Sequence, residues 1–458
     1  MIENMGKTNK KILESKKIIK EEKEKIRIEK RNIRRKKYEK ISNSKICKFF
    51  SKVGNLFKMD KDNYSFSEVF VITLASLVIG AFACFSVFTV FTGGRNYFKL
   101  SKELGKFFEV YETIVDNYYD DIDKETLVES AINGMVSSVG DEYTSYVDIS
   151  GTEEFNELVN GVYEGIGATI QLTDSGIKVI DVYENSPSYK VGLKKDDIIL
   201  MVDDINLKID EVGIENISVN ELSNYIKVEG SGEVKMVVKR GEEELSFTLK
   251  RDKVEMPVVS STTYEKNGKK IGYIGISIFS SVASKQFESK LEELEKENIS
   301  GLVIDVRGNN GGYLTTVTSI LNLLLPKGEI LYQVQKGDDT DVTKDKTATY
   351  REYPISVLVN GGSASASEIL AAAIKESYNG FVVGTKTYGK GTVQQVKTLS
   401  DGSMIKYTIE NWLTPEGNWI NEKGIEPTDV VELNEEYYEN PIIENDNQLQ
   451  KALELVSK

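Results

Sequence analysis

From Pro257 onward, short apolar segments of strand length alternate with segments whose apolar residues recur at helical spacing. The predicted strands are 271–276, 302–306, 355–359 and 381–383, and the predicted helices are 284–297, 315–325 and 366–376. Strands that alternate with helices in this way predict an α/β core built on a largely parallel sheet. In such sheets, functional sites form beyond the carboxyl ends of the strands. Chemistry is therefore expected in the segments that follow the predicted strands.

The segment after the strand 355–359 combines two glycines, three serines and an alanine-rich helix. Such a junction holds a hydroxyl at a helix N-terminus, where free N–H groups and the helix dipole favour a developing oxyanion. The candidate nucleophiles are Ser363, Ser365 and Ser367. Each of them could instead be a helix N-cap, which is the commoner use of serine. Local chemistry does not separate the three.

The chain has no histidine, which excludes Ser-His-Asp and Cys-His arrangements and every His-ligated zinc site. A hydrolase built on this sequence needs another base. Lys390 lies between Gly389 and Gly391 in the loop after the strand 381–383. Burial there could lower the pKa of its ammonium enough for a general base. An ordinary surface lysine in a turn is the alternative.

A third segment, with the sequence DVRGNNGG at 305–312, includes the end of the strand 302–306 and the glycines after it. Its successive backbone N–H groups could donate to an oxyanion or bind another anion. A phosphate-binding loop is disfavoured, because no G-x-x-x-x-G-K-[ST] pattern follows the strand. Asp305 and Arg307 are more typical of a structural ion pair.

Two further folded regions are predicted upstream of the core. Residues 98–147 have apolar positions at helical spacing that indicate two helices, interrupted around residues 120–123. Residues 161–250 contain short β-type segments separated by Gly, Asn and Asp turns, with a helix expected at 220–226. This β-rich module of about 90 residues has the size of a small domain.

The first 91 residues predict a membrane anchor. Val69–Phe91 is a run of 23 residues without a charge, about 34 Å as a helix, which suffices for a bilayer core of about 30 Å. Residues 1–68 carry 21 Lys and Arg against 10 Asp and Glu, whereas the rest carries 37 against 62. The positive-inside rule then predicts one transmembrane helix with residues 1–68 in the cytoplasm. A cleaved signal peptide is disfavoured by the length of both segments.

The three segments together resemble those of the C-terminal processing peptidases, also called tail-specific proteases, a Ser-Lys family with a PDZ domain set into an α/β core. SASASEI at 363–369, GKGTVQ at 389–394 and DVRGNNGG at 305–312 are the matching motifs. The resemblance implies that Ser365 is the nucleophile and that Lys390, 25 positions on, is the base. It also implies that Gln394 orients the lysine.

By the same resemblance, the oxyanion donors are the backbone N–H groups of Ala366 and of one glycine in the pair Gly311-Gly312. Gly312 is the favoured member of that pair. No metal site and no cofactor is implied for this chemistry, which needs only the protein's own groups.

The β-rich module is similar to the family's PDZ domain. Its Gly165, Ile166 and Gly167 match the loop that binds the carboxylate at a substrate's C-terminus, while the substrate chain adds as a strand beside the domain. The expected partners are therefore protein or peptide substrates with a free C-terminus, together with the membrane, and no nucleic acid is expected. The oligomeric state is open between a monomer and a homo-oligomer.

The predicted fold class is an α/β peptidase core with an inserted β-rich PDZ domain, an N-terminal helical segment and one transmembrane helix. The expected domains are a basic cytoplasmic segment (1–68), a transmembrane helix (69–91), an N-terminal helical region (97–157), a PDZ domain (158–252) and the Ser-Lys core (253–458). The expected function is a serine endopeptidase anchored in a bacterial cell membrane, cutting proteins near their C-termini outside the cytoplasm. A catalytically inert PDZ scaffold is the alternative, disfavoured because Ser365, Lys390 and Gln394 are all present.

Overall fold

The structure is a computed structural model of the chain. It describes residues 66–91, 97–208, 212–213, 218–227 and 232–458. The predicted basic cytoplasmic segment 1–68 therefore lies, up to residue 65, outside the described residues. The chain divides into two compact units, residues 1–127 and residues 128–458.

The first unit contains helices α1 (Phe66–Phe91) and α2 (Tyr97–Asn117). The predicted transmembrane helix over Val69–Phe91 is wrong: no helix in the described part of the chain combines the length and the apolar character needed to cross a membrane. The single-pass topology deduced from it loses its support.

Helix α3 (Lys124–Ser137) leads into the second unit, where β1 (Ser145–Val147) and α4 (Ile149–Asn160) follow. Helices α2 and α3 are the two helices predicted for residues 98–147. Asp148 caps α4 by accepting from the Gly151 N–H, and Gly161 ends the helix in the left-handed conformation that glycine adopts without strain.

The β-rich module has its own sheet and its own core. Its elements are β2 (Val162–Gly165), β3 (Ala168–Thr173), β4 (Gly176–Val182), α5 (Pro187–Val191), β5 (Ile198–Val202), β6 (Ile205–Asn206), α6 (Val219–Lys227), β7 (Glu233–Arg240), β8 (Glu243–Lys250) and β9 (Asp252–Glu255). Strands β3, β4, β5, β7 and β8 form the sheet in that order, with β6 beside β5. Strand β2 pairs with β9 and joins the two ends of the module.

The C-terminal part of the chain forms the predicted α/β core. Its elements are β10 (Val259–Lys266), β11 (Lys269–Ile276), α7 (Ala283–Lys296), β12 (Leu302–Asp305), α8 (Leu314–Leu324), β13 (Ile330–Lys336), β14 (Asp339–Lys344), β15 (Ile355–Val359), α9 (Ala366–Glu376), β16 (Phe381–Gly384), β17 (Thr392–Thr398), β18 (Met404–Leu413), β19 (Asp429–Val430), α10 (Glu435–Glu439) and α11 (Asn447–Val456). The main sheet has the order β10-β11-β12-β15-β16-β19 and is parallel from β11 onward.

Helices cover both faces of this sheet. On one face, Ile304 and Val357 pack in a cluster with α7, α8 and α9. On the other face, Val303 and Leu358 pack against α11. Every residue of β15 is buried, as expected for a central parallel strand covered on both sides. This packing fixes the carboxyl ends of β12 and β15 side by side, where the candidate motifs begin.

A second sheet contains β1, β18, β13 and β14 in that order, with β17 also paired to β18. Strand β17 begins at Thr392, directly after the lysine loop, and β1 lies antiparallel to β18. The segment around residues 140–147 therefore reaches the core from more than 200 positions upstream, which periodicity did not predict.

Candidate active site

The three candidate serines lie where β15 passes into α9. Ser363 and Ser367 have no exposed surface. Their hydroxyls donate to backbone carbonyls of the glycine-rich loop after β12, Ser363 to Val306 (2.7 Å) and Ser367 to Asn309 (2.8 Å). Ser365 is half-buried. Two serines therefore hold the loop to the turn, and Ser365 is the one left within reach of a substrate.

Ser365 also has an unusual backbone, with φ 56° and ψ −113°. A residue with a Cβ atom rarely adopts this conformation, and most other described non-glycine residues with positive φ are Asn or Asp. Strain of this kind clusters at functional sites. Ser365 directly precedes Ala366, which is the first residue of α9. The N–H of Ala366 has no hydrogen-bond partner among the described residues.

Glu368 ties the serine turn to the lysine loop. Its buried carboxylate accepts from the backbone N–H groups of Ser365 (2.8 Å), Gly389 (2.8 Å) and Lys390 (2.9 Å), and from the hydroxyl of Thr387 (2.6 Å). Burial raises the pKa of Glu368, and these four donors offset part of the rise because they favour the ionised form. One carboxylate thus holds the backbone of Ser365 close to that of Lys390.

The loop after β16 contains two lysines, of which Lys390 is partly buried and Lys386 is exposed. Burial and then the positive charge of Lys406 lower the pKa of Lys390 to about 8. The negative charges of Glu368 and Asp141 oppose that shift. An amine with this pKa is neutral for a substantial fraction of the time in mildly alkaline solution, as a general base requires.

Tyr143 and Asp141 reach Lys390 from the segment before β1. The ring centroid of Tyr143 lies 4.9 Å from Lys390 Nζ, within cation–π distance. The carboxylate of Asp141 accepts from the hydroxyl of Thr408 on β18 (2.6 Å). The pairing of β1 with β18 is what brings both residues to the lysine.

Gln394 lies on β17 and does not hydrogen-bond Lys390 in the described structure. Its Nε2 donates to the hydroxyls of Thr392 (2.8 Å) and Thr408 (3.3 Å). No hydrogen bond reaches its Oε1 from any described residue. The predicted contact between this glutamine and the lysine therefore stays a prediction.

The two glycines of the pair Gly311-Gly312 differ in what they can donate. Gly311 has φ +106°, and a Cβ atom there would lie 2.8 Å from that of Ser365 and 3.1 Å from the nitrogen of Ala366. Its N–H is already used, because it donates to Asn309 Oδ1 (2.8 Å). The N–H of Gly312 has no partner among the described residues. Within the described part of the chain, the backbone donors without a partner beside the serine are therefore those of Ala366 and Gly312.

Asp305 and Arg307 form the predicted structural ion pair. Arg307 Nη2 lies 2.6 Å from Asp305 Oδ2 and 2.8 Å from Asp446 Oδ2. The guanidinium thereby joins the end of β12 to the start of α11, and both carboxylates neutralise it. Because the guanidinium of Arg307 is already paired with two carboxylates, the structure does not support an anion-binding site there.

The predicted carboxylate-binding loop begins at Gly165, the last residue of β2, and leads into β3. Its carbonyls face inward: Ile166 accepts from the Ser188 N–H, and Gly167 accepts from the Ser186 hydroxyl. Gly167 has φ +75°, and a Cβ atom there would come within 2.2 Å of Ser186 Cβ, so this position requires glycine. Among the described residues, β3 pairs only with β4, which leaves its other edge beside α6 open.

Sequence reasoning missed Glu368, Asp141 and Tyr143. The S-x-x-E spacing from Ser365 to Glu368 is that of a capping box, and it is the signal that could have found Glu368. The sequence around Asp141 and Tyr143 indicates only a turn, and nothing in it shows that these residues would meet Lys390. In the described ranges, no group of three or more Cys, Asp or Glu side chains is placed to hold a metal ion.

Comparison with known proteins finds three matching family models. The one described as Peptidase family S41 matches residues 270–431, the one described as PDZ domain matches 165–251, and the one described as Activating protease CtpB N-terminal domain matches 89–151.

Two similar relatives are the carboxy-terminal processing proteases CtpB and CtpA of Bacillus subtilis (strain 168). CtpB is 38% identical over 347 residues, which are 74% of this chain and 70% of CtpB. CtpA is 36% identical over 344 residues, which are 75% of this chain and 70% of CtpA. Among solved structures, the photosystem II D1 C-terminal processing protease is 26% identical, with 79% of this chain and 92% of that chain covered and a TM-score of 0.43.

Proposed function

Because this chain belongs to the carboxy-terminal processing proteases of peptidase family S41, we propose that it cuts its substrates with Ser365 as nucleophile and Lys390 as general base. The chain is a serine-type peptidase with a PDZ domain, and its substrates are proteins or peptides. The main support for this dyad is that the carboxylate of Glu368 accepts hydrogen bonds from the backbone N–H groups of both residues.

The chemistry is acyl transfer. Neutral Lys390 takes the proton of the Ser365 hydroxyl while the oxygen attacks a peptide carbonyl. The tetrahedral intermediate collapses to a serine ester, and the leaving amine takes the proton from Lys390. Lys390, now neutral again, then takes a proton from a water molecule as the water oxygen attacks the ester. That proton passes to the Ser365 oxygen as the acid product leaves, which restores the serine.

The oxyanion donors in this proposal are the N–H groups of Ala366 and Gly312. Both are unpaired among the described residues, whereas the Gly311 N–H is held by Asn309. The N–H of Ala366 also lies at the positive end of the α9 dipole, which favours negative charge on the substrate oxygen. This difference in pairing supports Gly312 over its neighbour.

The PDZ domain is proposed to cover residues 158–252 and the peptidase core residues 253–458, with the helical region 97–157 before them. The substrate's C-terminal carboxylate would bind the backbone of Gly165, Ile166 and Gly167. Its chain would pair with the open edge of β3, as in strand addition.

We expect activity to depend on a free substrate C-terminus. With the full chain and a pair of unstructured peptides that differ only in a carboxylate or carboxamide end, cleavage of the free acid should be at least about 10-fold faster, because the amide loses the charge that the loop binds. Mass spectrometry would give both the rate and the position of the cut. Equal rates would contradict the role of the loop, while binding of the free acid without any cut would favour the inert scaffold.

We also expect activity to rise with pH through about 8, where Lys390 loses its proton. Lys406→Gln removes a positive charge that lowers the Lys390 pKa, so the pKa rises and the limb of the kcat/KM profile moves to higher pH. The measurement is kcat/KM from pH 6 to 10 for both proteins. Lys397→Gln, at an exposed position on the neighbouring strand, is the control and should leave the limb in place. A profile that falls with pH would contradict the amine as base.

A further inference from the structure

Asp141 lies outside the dyad, yet one hydroxyl connects it to Gln394. The hydroxyl Oγ1 of Thr408 donates to Oδ2 of Asp141 (2.6 Å), and Nε2 of Gln394 donates to Oγ1 of Thr408 (3.3 Å). Although burial alone would raise the pKa of Asp141, hydrogen bonds from the hydroxyls of Thr144 and Thr408 and from the Tyr143 N–H hold it below its usual range. The carboxylate is therefore ionised, and it can only accept.

The direction of these hydrogen bonds determines which way the amide of Gln394 faces. A threonine hydroxyl has one proton, and that of Thr408 goes to Asp141, so toward Gln394 it can only accept. Only the NH₂ group of Gln394 can face it, and the second N–H goes to Thr392 (2.8 Å). The oxygen Oε1 is left turned away from both threonines, without a donor among the described residues.

We propose that Asp141 and Thr408 are positioning residues that keep Oε1 of Gln394 available to accept from the amine of Lys390. The proposal rests on the proposed function, in which Lys390 is the base. Gln394 lies four positions after Lys390, and the Tyr143 ring, from the same turn as Asp141, lies 4.9 Å from the lysine Nζ. The carboxylate of Asp141, which accepts from Thr408, also acts electrostatically on Lys390.

The orientation matters because a neutral amine has N–H groups and one lone pair. When Oε1 accepts an N–H of Lys390, the lone pair stays free for the proton of Ser365. If the amide turned over, its Nε2 would donate to that lone pair and compete with the serine. Asp141 thus acts on the base through two side chains, from a segment 267 positions away from Thr408.

The test is the isosteric variant Thr408→Val in the full chain, which removes the hydroxyl and keeps the shape of the side chain. We expect kcat to fall about 10-fold or more with KM within about twofold, because the base is misaligned while substrate binding is untouched. Thr408→Ser should restore most of kcat. Asp141→Asn should also lower kcat, because an amide that donates to Thr408 lets that hydroxyl donate to Oε1 instead.

The pH profile separates positioning from charge. The charged groups that act on Lys390 are Lys406, Glu368, Asp141 and Glu142. Thr408→Val changes none of them, so its profile should fall in height while its limb stays in place. Asp141→Asn removes a charge that raises the Lys390 pKa, so its limb should also move to lower pH.

Thr144→Val is the matched control. The Thr144 hydroxyl donates to the same carboxylate and accepts from the Thr408 N–H, but it does not touch Gln394. We expect its kcat within about twofold of the parent. Full kcat in Thr408→Val, or an equal loss in Thr144→Val, would overturn the proposal in favour of a structural anchor. Activity retained by Ser365→Ala or Lys390→Met would instead overturn the proposed function.

Discussion

Ser365→Ala and Lys390→Met are each expected to lower kcat/KM on a tailed peptide by at least about 10⁴-fold. Without the hydroxyl no acyl-enzyme forms, and without the amine the hydroxyl keeps its proton at neutral pH. Methionine retains the unbranched apolar length of lysine, so the surrounding packing is preserved. Cleavage would be followed by mass spectrometry with substrate below KM. A circular-dichroism melt of each variant would show that the fold persists.

The neighbouring serines provide the controls for this result. Ser363→Ala and Ser367→Ala each remove a donor to a buried carbonyl, so they should reduce the free energy of unfolding by about 1–3 kcal/mol while the nucleophile remains. Labelling with a fluorophosphonate, followed by peptide mapping, should find the adduct on Ser365. An active Ser365→Ala protein, or an adduct on Ser363 or Ser367, would contradict the assignment.

Glu368→Ala is expected to lower the free energy of unfolding by about 3 kcal/mol or more, and kcat by about 10²-fold or more. The substitution leaves three backbone N–H groups and one hydroxyl without their acceptor in a buried site. The serine turn and the lysine loop then lose the group that joins them, so the dyad is misplaced even in molecules that stay folded. Denaturant unfolding would give the stability, and single-turnover cleavage the rate.

Glu376→Ala is the matched control, because it removes the same side chain at the other end of α9. Glu376 accepts from a single backbone N–H, that of Glu416, so its loss should cost about 1 kcal/mol and leave kcat unchanged. A Glu368→Ala protein as stable and as active as this control would show that the carboxylate does not hold the dyad.

The predicted strands and helices of the core agree with the structure to within about two residues. The agreement has a physical cause. The central strands, such as Ile355–Val359, are covered on both faces, so all side chains of that strand except that of Ser356 are apolar and the segment stands out in the sequence. The hairpins 330–344 and 392–413 were not predicted, because their strands are partly exposed and their mixed composition resembles that of a loop.

The absence of histidine excluded a histidine base, and the glycine-flanked Lys390 was one candidate for another base. The assignment of a serine peptidase with a lysine base came from the resemblance of the three motifs to a Ser-Lys family. The three serines could not be told apart locally, since each has a small neighbour and a helix close behind. Tertiary structure separates them. The hydroxyls of Ser363 and Ser367 bond to carbonyls 57 and 58 positions away, and Ser365 is left in a strained conformation at the helix start.

By itself, the sequence determined the alternation of strands and helices, the motif order, and the residue types available for acid–base chemistry. These depend on local periodicity and on composition. Only the tertiary structure decided that Glu368 joins the two motifs and that Asp141 connects to Gln394 through Thr408. It also decided that, within the described part of the chain, the Gly311 N–H has an acceptor and that of Gly312 has none. Such contacts join segments up to 267 positions apart, and no local pattern records which of them will meet.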